Sequence, residues 1–212
     1  EITLDLLDVM GIEYQIIDKN SKNIETLVKK VVDNTKKHSK PNAIIVRKGT
    51  FASYKLKSKD EIFDWNREDA IKTLLNYVND DFIVSTTGKA SREVFEARES
   101  RNEGHGRDFL TVGGMGHASQ IACGISMSIN KRVWCFDGDG ALTMHMGSMT
   151  TSALQNNIVH ILFNNNSHES VGGQKTSSEH IKFYKLAKNV GYNFTKICKR
   201  TEELNKAILQ AK

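Results

Sequence analysis

The chain has 212 residues, 39% of them hydrophobic and 26% charged, and 30 Lys and Arg against 25 Asp and Glu leave a net charge of +5. These proportions describe a globular protein and exclude a disordered chain or a coiled coil. The basic excess is spread along the sequence, so charge alone does not argue for nucleic-acid binding. No apolar run nears the roughly 18 to 20 residues that span a bilayer. The first ten residues, EITLDLLDVM, carry acids and no basic n-region, so no secretory leader is read there. Cys123, Cys135 and Cys198 form no CxxC pair. They read as reduced thiols of a cytoplasmic protein, filling space as small buried hydrophobes.

The first segment, LDLLDVMG, reads as the last turns of a helix closed by Gly11. A strand is expected over 14–17, an amphipathic helix over 21–37 and an apolar strand over 43–46. This is a β-α-β unit without the rest of its sheet. Residues 48–59, KGTFASYKLKSK, read as a polar, basic linker. A second pattern follows. Helix 60–77 leads to strand 82–85 and the turn Thr86-Thr87-Gly88-Lys89, then helix 91–97 and a charged, glycine-containing loop over 102–108. Gly113-Gly114-Met115-Gly116 opens a helix expected to run to about residue 129. Strand 133–136 enters Asp137-Gly138-Asp139-Gly140, followed by a helix over 142–154. Strand 158–163 enters Asn164-Asn165-Asn166. Helix 179–190, strand 192–197 and helix 201–211 complete the pattern.

Strands alternating with helices predict an α/β fold, a parallel sheet with helices on both faces. The polar loops follow the carboxyl ends of strands, where open α/β sheets bind ligands. Because the last helix has no following strand, truncation at both ends is expected.

Gly138-Asp139-Gly140 joins an apolar strand to a helix. Glycines there let backbone amides approach a phosphate closely. A carboxylate beside a phosphate makes sense when a cation lies between them, and a hard ion such as Mg²⁺ takes oxygen ligands and shares them with phosphates. Asparagine supplies a neutral carbonyl oxygen, and one helix and one strand separate Asp139 from Asn165. Adjacent parallel strands would therefore deliver both to one sheet edge. Either motif alone is weak, since Asp-Gly turns and asparagine loops are common, but together they describe a diphosphate–metal site. A dinucleotide site is disfavoured, because no GxGxxG follows the first strand of a βαβ unit.

The pair GDG and NN resembles the cofactor motif of thiamine diphosphate enzymes. TTGKASRE, RDFLTVGGMGHAS, DGDGALTMHMGSM and NNNSHESVGGQKT, together with VRKGTF, are similar in order to the phosphonopyruvate decarboxylase family, with sulfopyruvate decarboxylases as close relatives. The resemblance spans about residues 46–176. It implies that 1–57 are the tail of a pyrimidine-binding domain plus a linker, and that 58–212 are the diphosphate-binding domain, truncated at its C-terminus.

The resemblance also implies roles. Asp139, the Asn165 side chain and the Ser167 carbonyl would hold Mg²⁺, with the register among Asn164, Asn165 and Asn166 open by one. The Gly140 and Ala141 amides would face the diphosphate, with Gly138 in the same turn and Thr87, Gly88 and Lys89 touching the phosphates. Gly113, Gly114 and Met115 would hold the aminopyrimidine, Met115 acting as the apolar wedge; the alternative for Met115 is an ordinary core methionine. The glutamate that activates the cofactor would come from the pyrimidine-binding domain of a neighbouring subunit, so the enzyme would be a homo-oligomer and this chain inactive alone.

The chemistry implied is loss of carbon dioxide from a 2-oxo acid. Arg92 and Arg107 are candidates for the substrate's phosphonate, and His105, His117 and His168 for proton transfer. A surface ion pair for Arg107 and structural hydrogen bonds for the histidines are the plain alternatives. Zinc binding by His105, His117 or His145 with the cysteines has no supporting spacing. Phosphonopyruvate decarboxylation leads. Sulfopyruvate decarboxylation is the runner-up, and a non-catalytic cofactor-binding or assembly domain is the third reading.

Overall fold

The computed structural model describes residues 2–53 and 65–211. The chain divides into two compact units, residues 1–61 and 62–212.

In the first unit, helix α1 (Thr3–Val9) is followed by strand β1 (Glu13–Ile17), helix α2 (Ile24–His38) and strand β2 (Asn42–Val46). Gly11 takes the left-handed conformation (φ 65°) that turns α1 into β1. β1 and β2 pair in parallel with Glu13 against Asn42 and Ile17 against Val46, which is the expected β-α-β unit. Ile17 and Val31 are its buried apolar side chains among the described residues. The expected linker lies partly, at 54–59, outside the described residues, as does the start of the helix expected from 60.

The second unit begins with α3 (Arg67–Val78). Its start is set by a capping box. Asn66 Oδ1 accepts from the Asp69 amide (2.9 Å), and the Asp69 carboxylate accepts from the Asn66 amide. There follow β3 (Phe82–Ser85), α4 (Lys89–Ser100), β4 (Asp108–Leu110), α5 (Ala118–Ser126), β5 (Val133–Gly138), α6 (Asp139–Met144), α7 (Met149–Ser152), β6 (Ile158–Phe163), β7 (Ser167–His168), β8 (Gln174–Lys175), α8 (Phe183–Asn189) and α9 (Thr201–Gln210).

Four strands form a parallel sheet in the order β4-β3-β5-β6, and β7 and β8 form a separate two-residue antiparallel pair. Side chains alternate across the sheet, as strand geometry requires. Ile83, Trp134 and Phe136 face α3, α4 and α9, while Val84, Val133 and Cys135 face Ala118 and Ala122 of α5. The sheet is therefore covered on both faces. From β3 the chain turns toward β4, and from β5 toward β6, so the crevice between the carboxyl ends of β3 and β5 is a topological switch point.

Several expected elements change. β4, three residues long, begins at Asp108, the last residue of the expected 102–108 loop, and continues into 109–110, for which no element was expected. The helix expected over 142–154 is broken, because α6 ends at Met144, His145 leaves helical geometry (φ −135°, ψ 47°), and a 3₁₀ turn precedes α7. The helix expected over 179–190 begins as a 3₁₀ turn and becomes α-helical only at Phe183. The strand expected over 192–197 is irregular: after the turn at Gly191 (φ 109°), Phe194 and Ile197 remain 41% and 52% exposed, so the alternation has no face to bury. Among the described residues, no helix is long and apolar enough to cross a membrane.

Candidate functional site

Gly138 ends β5 opposite Phe163 of β6. Asp139 and Asn165 thus follow adjacent parallel strands and leave the sheet at the same edge. Asp139 is 3% exposed, and its Oδ2 accepts a 2.6 Å hydrogen bond from Thr176 Oγ1. The Thr176 amide in turn donates to the Asn166 carbonyl (3.1 Å). Thr176 therefore ties the aspartate turn to the asparagine loop. Asn165 is exposed; its Oδ1 accepts from the Ser167 amide (3.0 Å) and its amide group reaches Glu169 (3.4 Å).

Close approach explains several glycines, Gly140 and Gly116 among them. A Cβ on Gly140 would meet His168 at 2.8 Å, and one on Gly116 (φ 86°) would meet His145 at 2.7 Å and the Ala141 carbonyl at 3.1 Å. His168 therefore lies against the aspartate turn, and the Gly113–Gly116 segment packs on α6. Met115 is half-buried beside it, and the His117 and His145 rings lie 4.5 Å apart. An open cleft of ≈ 730 Å³ adjoins this segment, lined by Phe109, Thr111, Val112, Gly114 and His117 among others.

Thr87 and Gly88 connect β3 to α4 on the other side of the switch point. Thr86 Oγ1 is buried there without a hydrogen-bond partner among the described residues, and a Cβ on Gly138 would lie 3.9 Å from the Thr86 methyl. Lys89, at the start of α4, is paired with Glu169. Glu169 also meets Arg67 (3.0 Å), which is held by Glu93 (2.7 Å). The Lys89 hydrogen bond, opposed by partial burial and helped by Arg67, holds the Glu169 carboxyl below the usual carboxylate range. Arg92 is exposed one turn further along α4.

Two predicted residues do not join this group. Arg107 precedes β4 and pairs with Asp80, which precedes β3, so it lies at the amino edge of the sheet. That is the plain ion-pair alternative, with Asp80 in place of the neighbouring Asp108. His105, just before it, stacks on Phe95 (4.2 Å) and bonds Glu99 (2.8 Å). Asp108 instead meets Arg98 through two 3.1 Å contacts inside the domain. Thr176 and Glu169 were missed as site residues. Both lie within NNNSHESVGGQKT, but nothing in their spacing distinguishes them from ordinary loop polar groups.

The thiamine pyrophosphate enzyme family, in its C-terminal TPP binding domain, matches residues 86–212. The chain belongs to that family. Phosphonopyruvate decarboxylase of Streptomyces viridochromogenes is 27% identical over 99% of this chain and 56% of its own length. That of Streptomyces hygroscopicus is 34% identical over 61% of this chain and 31% of its length. The sulfopyruvate decarboxylase beta subunit of Methanothermobacter thermautotrophicus is 32% identical over 60% of this chain and 67% of its length. The chain thus spans little more than half, or less, of the phosphonopyruvate decarboxylases it matches. A solved structure from Mycobacterium smegmatis, of a candidate thiamin diphosphate-dependent enzyme, shares the fold (TM-score 0.55, 19% identity, 68% of this chain and 28% of that one).

The donor set of this TPP binding domain fits a hard cation beside a diphosphate. Asp139 is a buried carboxylate whose Oδ2 is held by the Thr176 hydroxyl. Asn165 Oδ1 retains a second lone pair, and the Ser167 carbonyl adds another oxygen. All-oxygen donors suit Mg²⁺.

Proposed function

We propose that this chain is the diphosphate-binding part, from about residue 58, of a thiamine diphosphate- and Mg²⁺-dependent enzyme that decarboxylates 3-phosphonopyruvate to phosphonoacetaldehyde and carbon dioxide. The observation that carries this reading is the Asp139–Thr176–Asn166 connection at the carboxyl edge of β5 and β6. It joins the two halves of the metal and diphosphate motif. Asp139, Asn165 and the Ser167 carbonyl are the metal ligands, and Gly140 and Ala141 turn their amides to the diphosphate. Thr87, Gly88 and Lys89 flank it across the switch point. Gly113, Gly114 and Met115 support the aminopyrimidine along the apolar cleft.

Thiamine diphosphate, when bound, supplies the electron sink that lets a 2-oxo acid lose carbon dioxide. The chain's own residues bind, orient and move protons. Lys89 is released from Glu169 to neutralise phosphate. Arg92, exposed and without an ion pair among the described residues, offers a bidentate contact for the substrate's anionic group. His168 and His117 each present an imidazole ring for proton transfer. The activating glutamate comes from a pyrimidine-binding domain in a neighbouring subunit, in an oligomer placed in the cytoplasm.

Sulfopyruvate is the second reading, supported by the beta subunit of which the chain covers 67%. The assembled enzyme decides between them when offered both acids. Faster turnover of phosphonopyruvate supports the first reading, and preference for sulfopyruvate overturns it. Cofactor binding without turnover of either acid would leave a non-catalytic cofactor-binding or assembly domain. Asp139→Ala should abolish Mg²⁺-dependent turnover, and retained activity would remove Asp139 from the ligand set.

A further inference from the structure

Behind the aspartate turn lies a second group of polar side chains that cofactor binding does not use. Cys135 and Asp137 are two residues apart on β5 and share a face, and the parallel register sets His160 of β6 beside Cys135. Cys135 and Asp137 are 0% exposed, and the His160 side chain is 5% exposed. One ligand atom from each lies within 4.8 Å of the other two.

Two atoms in this group are anomalous. Asp137 Oδ2 and His160 Nε2 are buried, and neither has a hydrogen-bond partner among the described residues. They lie 3.5 Å apart, too far for a good hydrogen bond. The separation does match the edge of a metal tetrahedron, roughly 3.3 Å when both bonds are about 2.0 Å. The remaining atoms are already held. Asp137 Oδ1 accepts from the Gly138 amide (2.9 Å), and His160 Nδ1 bonds the Tyr192 hydroxyl (2.8 Å). A metal-bound histidine needs such a partner on its other nitrogen to fix the ring.

We propose that Cys135 Sγ, Asp137 Oδ2 and His160 Nε2 form a buried site for one Zn²⁺ ion, separate from the Mg²⁺ site and structural in role. Thiolate, carboxylate and imidazole together select a borderline-soft ion over Mg²⁺. The charges balance, because thiolate and carboxylate neutralise a divalent cation in a place where a lone carboxylate is costly. Without the ion, burial and then Asp137 push the Cys135 thiol well up, so it stays protonated. The ion would clamp β5 to β6 and, through Asp137 and the Gly138 amide, brace the turn that carries Asp139.

The test is elemental analysis of the purified protein after dialysis, with excess Mg²⁺ present. About one zinc per chain is expected. Cys135→Ser and His160→Gln should each lower zinc retention at least tenfold, while Asp139→Ala leaves it unchanged. Cobalt replacement in the unmutated protein gives a readout that does not depend on the variants folding. A sulfur-to-cobalt charge-transfer band in the near ultraviolet is expected, and Cys135→Ser should remove it. A folded wild-type protein that takes up no stoichiometric zinc or cobalt, or that binds cobalt without this band, overturns the proposal in favour of a plain Asp–His pair. Metal content is read whichever 2-oxo acid is turned over, so this outcome stands apart from the proposed activity.

Discussion

Thr176 Oγ1 donates to Asp139 Oδ2 at 2.6 Å, inside a loop that returns over the aspartate turn from the neighbouring strand. The hydroxyl fixes which carboxylate oxygen remains free. Thr176→Val keeps the shape and removes the donor, and an unsatisfied buried acceptor costs about 1–3 kcal/mol. Loss of such an outer partner weakens metal binding by roughly 10- to 100-fold. The variant should therefore remain folded, melt earlier, and need correspondingly more Mg²⁺ for half-maximal cofactor binding by calorimetry. An unchanged Mg²⁺ requirement would separate Thr176 from the proposed metal site.

The parts of the site legible in sequence were those governed by local chain chemistry. Gly138-Asp139-Gly140 and Asn164-Asn165-Asn166 each end an apolar run, and two parallel strands joined by one crossover had to bring them to one edge. β3 and β6 occupy their predicted spans because their apolar runs are bounded by turn residues. Thr176 was invisible because its role exists only once the loop after β6 folds back. Asp137 and His160 escape sequence reading for a related reason: Asp137 opens the glycine turn and His160 sits inside an apolar run, and only the strand register, with Cys135 opposite His160, puts them on one face. The strand expected over 192–197 failed because alternation specifies a strand only where one face is covered.

Arg98 and Asp108 make a buried ion pair among the described residues of this domain. The Arg98 side chain is 9% exposed and that of Asp108 1%. Removing one partner strands a charge, at a cost of about 3–5 kcal/mol. Arg98→Met should destabilise by that amount in urea unfolding. Replacing both, Arg98→Met with Asp108→Leu, should recover much of the loss. If the double variant is as unstable as the sum of the singles, the pair is not the source of the cost.

Glu169 ties the loop after β6 to Lys89 and Arg67. Its carboxyl is held low, first by the Lys89 hydrogen bond. A depressed folded pKa gives stability that is fully present above the unfolded value of about 4.3 and is lost as pH falls through the lower folded value. Protection factors of amides 167–176 should therefore drop on acidification below that range. Glu169→Gln should show the low protection already at neutral pH. Its side chain is 42% exposed, so global stability should barely move. Equal protection in both proteins at neutral pH would mean that the ion pairs do not hold the loop.

Gly140 has no room for a side chain. A Cβ there would lie 2.8 Å and 2.9 Å from His168 ring atoms and 3.3 Å from the Thr176 methyl. Gly140→Ala must push the His168 loop away from the aspartate turn, at a cost of about 1–3 kcal/mol for overpacking. Because the end of a half-buried imidazole can yield, the chain should still fold, and the loss should fall on thiamine diphosphate affinity. Gly124→Ala is the matched control: it lies in α5 with nothing within 4 Å of its Cβ, and it should stabilise by roughly 0.5–1 kcal/mol. Adding His168→Ala to Gly140→Ala removes the clashing ring and should return part of the lost stability. Full cofactor affinity in Gly140→Ala would show that the close approach of these loops is not required to hold the diphosphate.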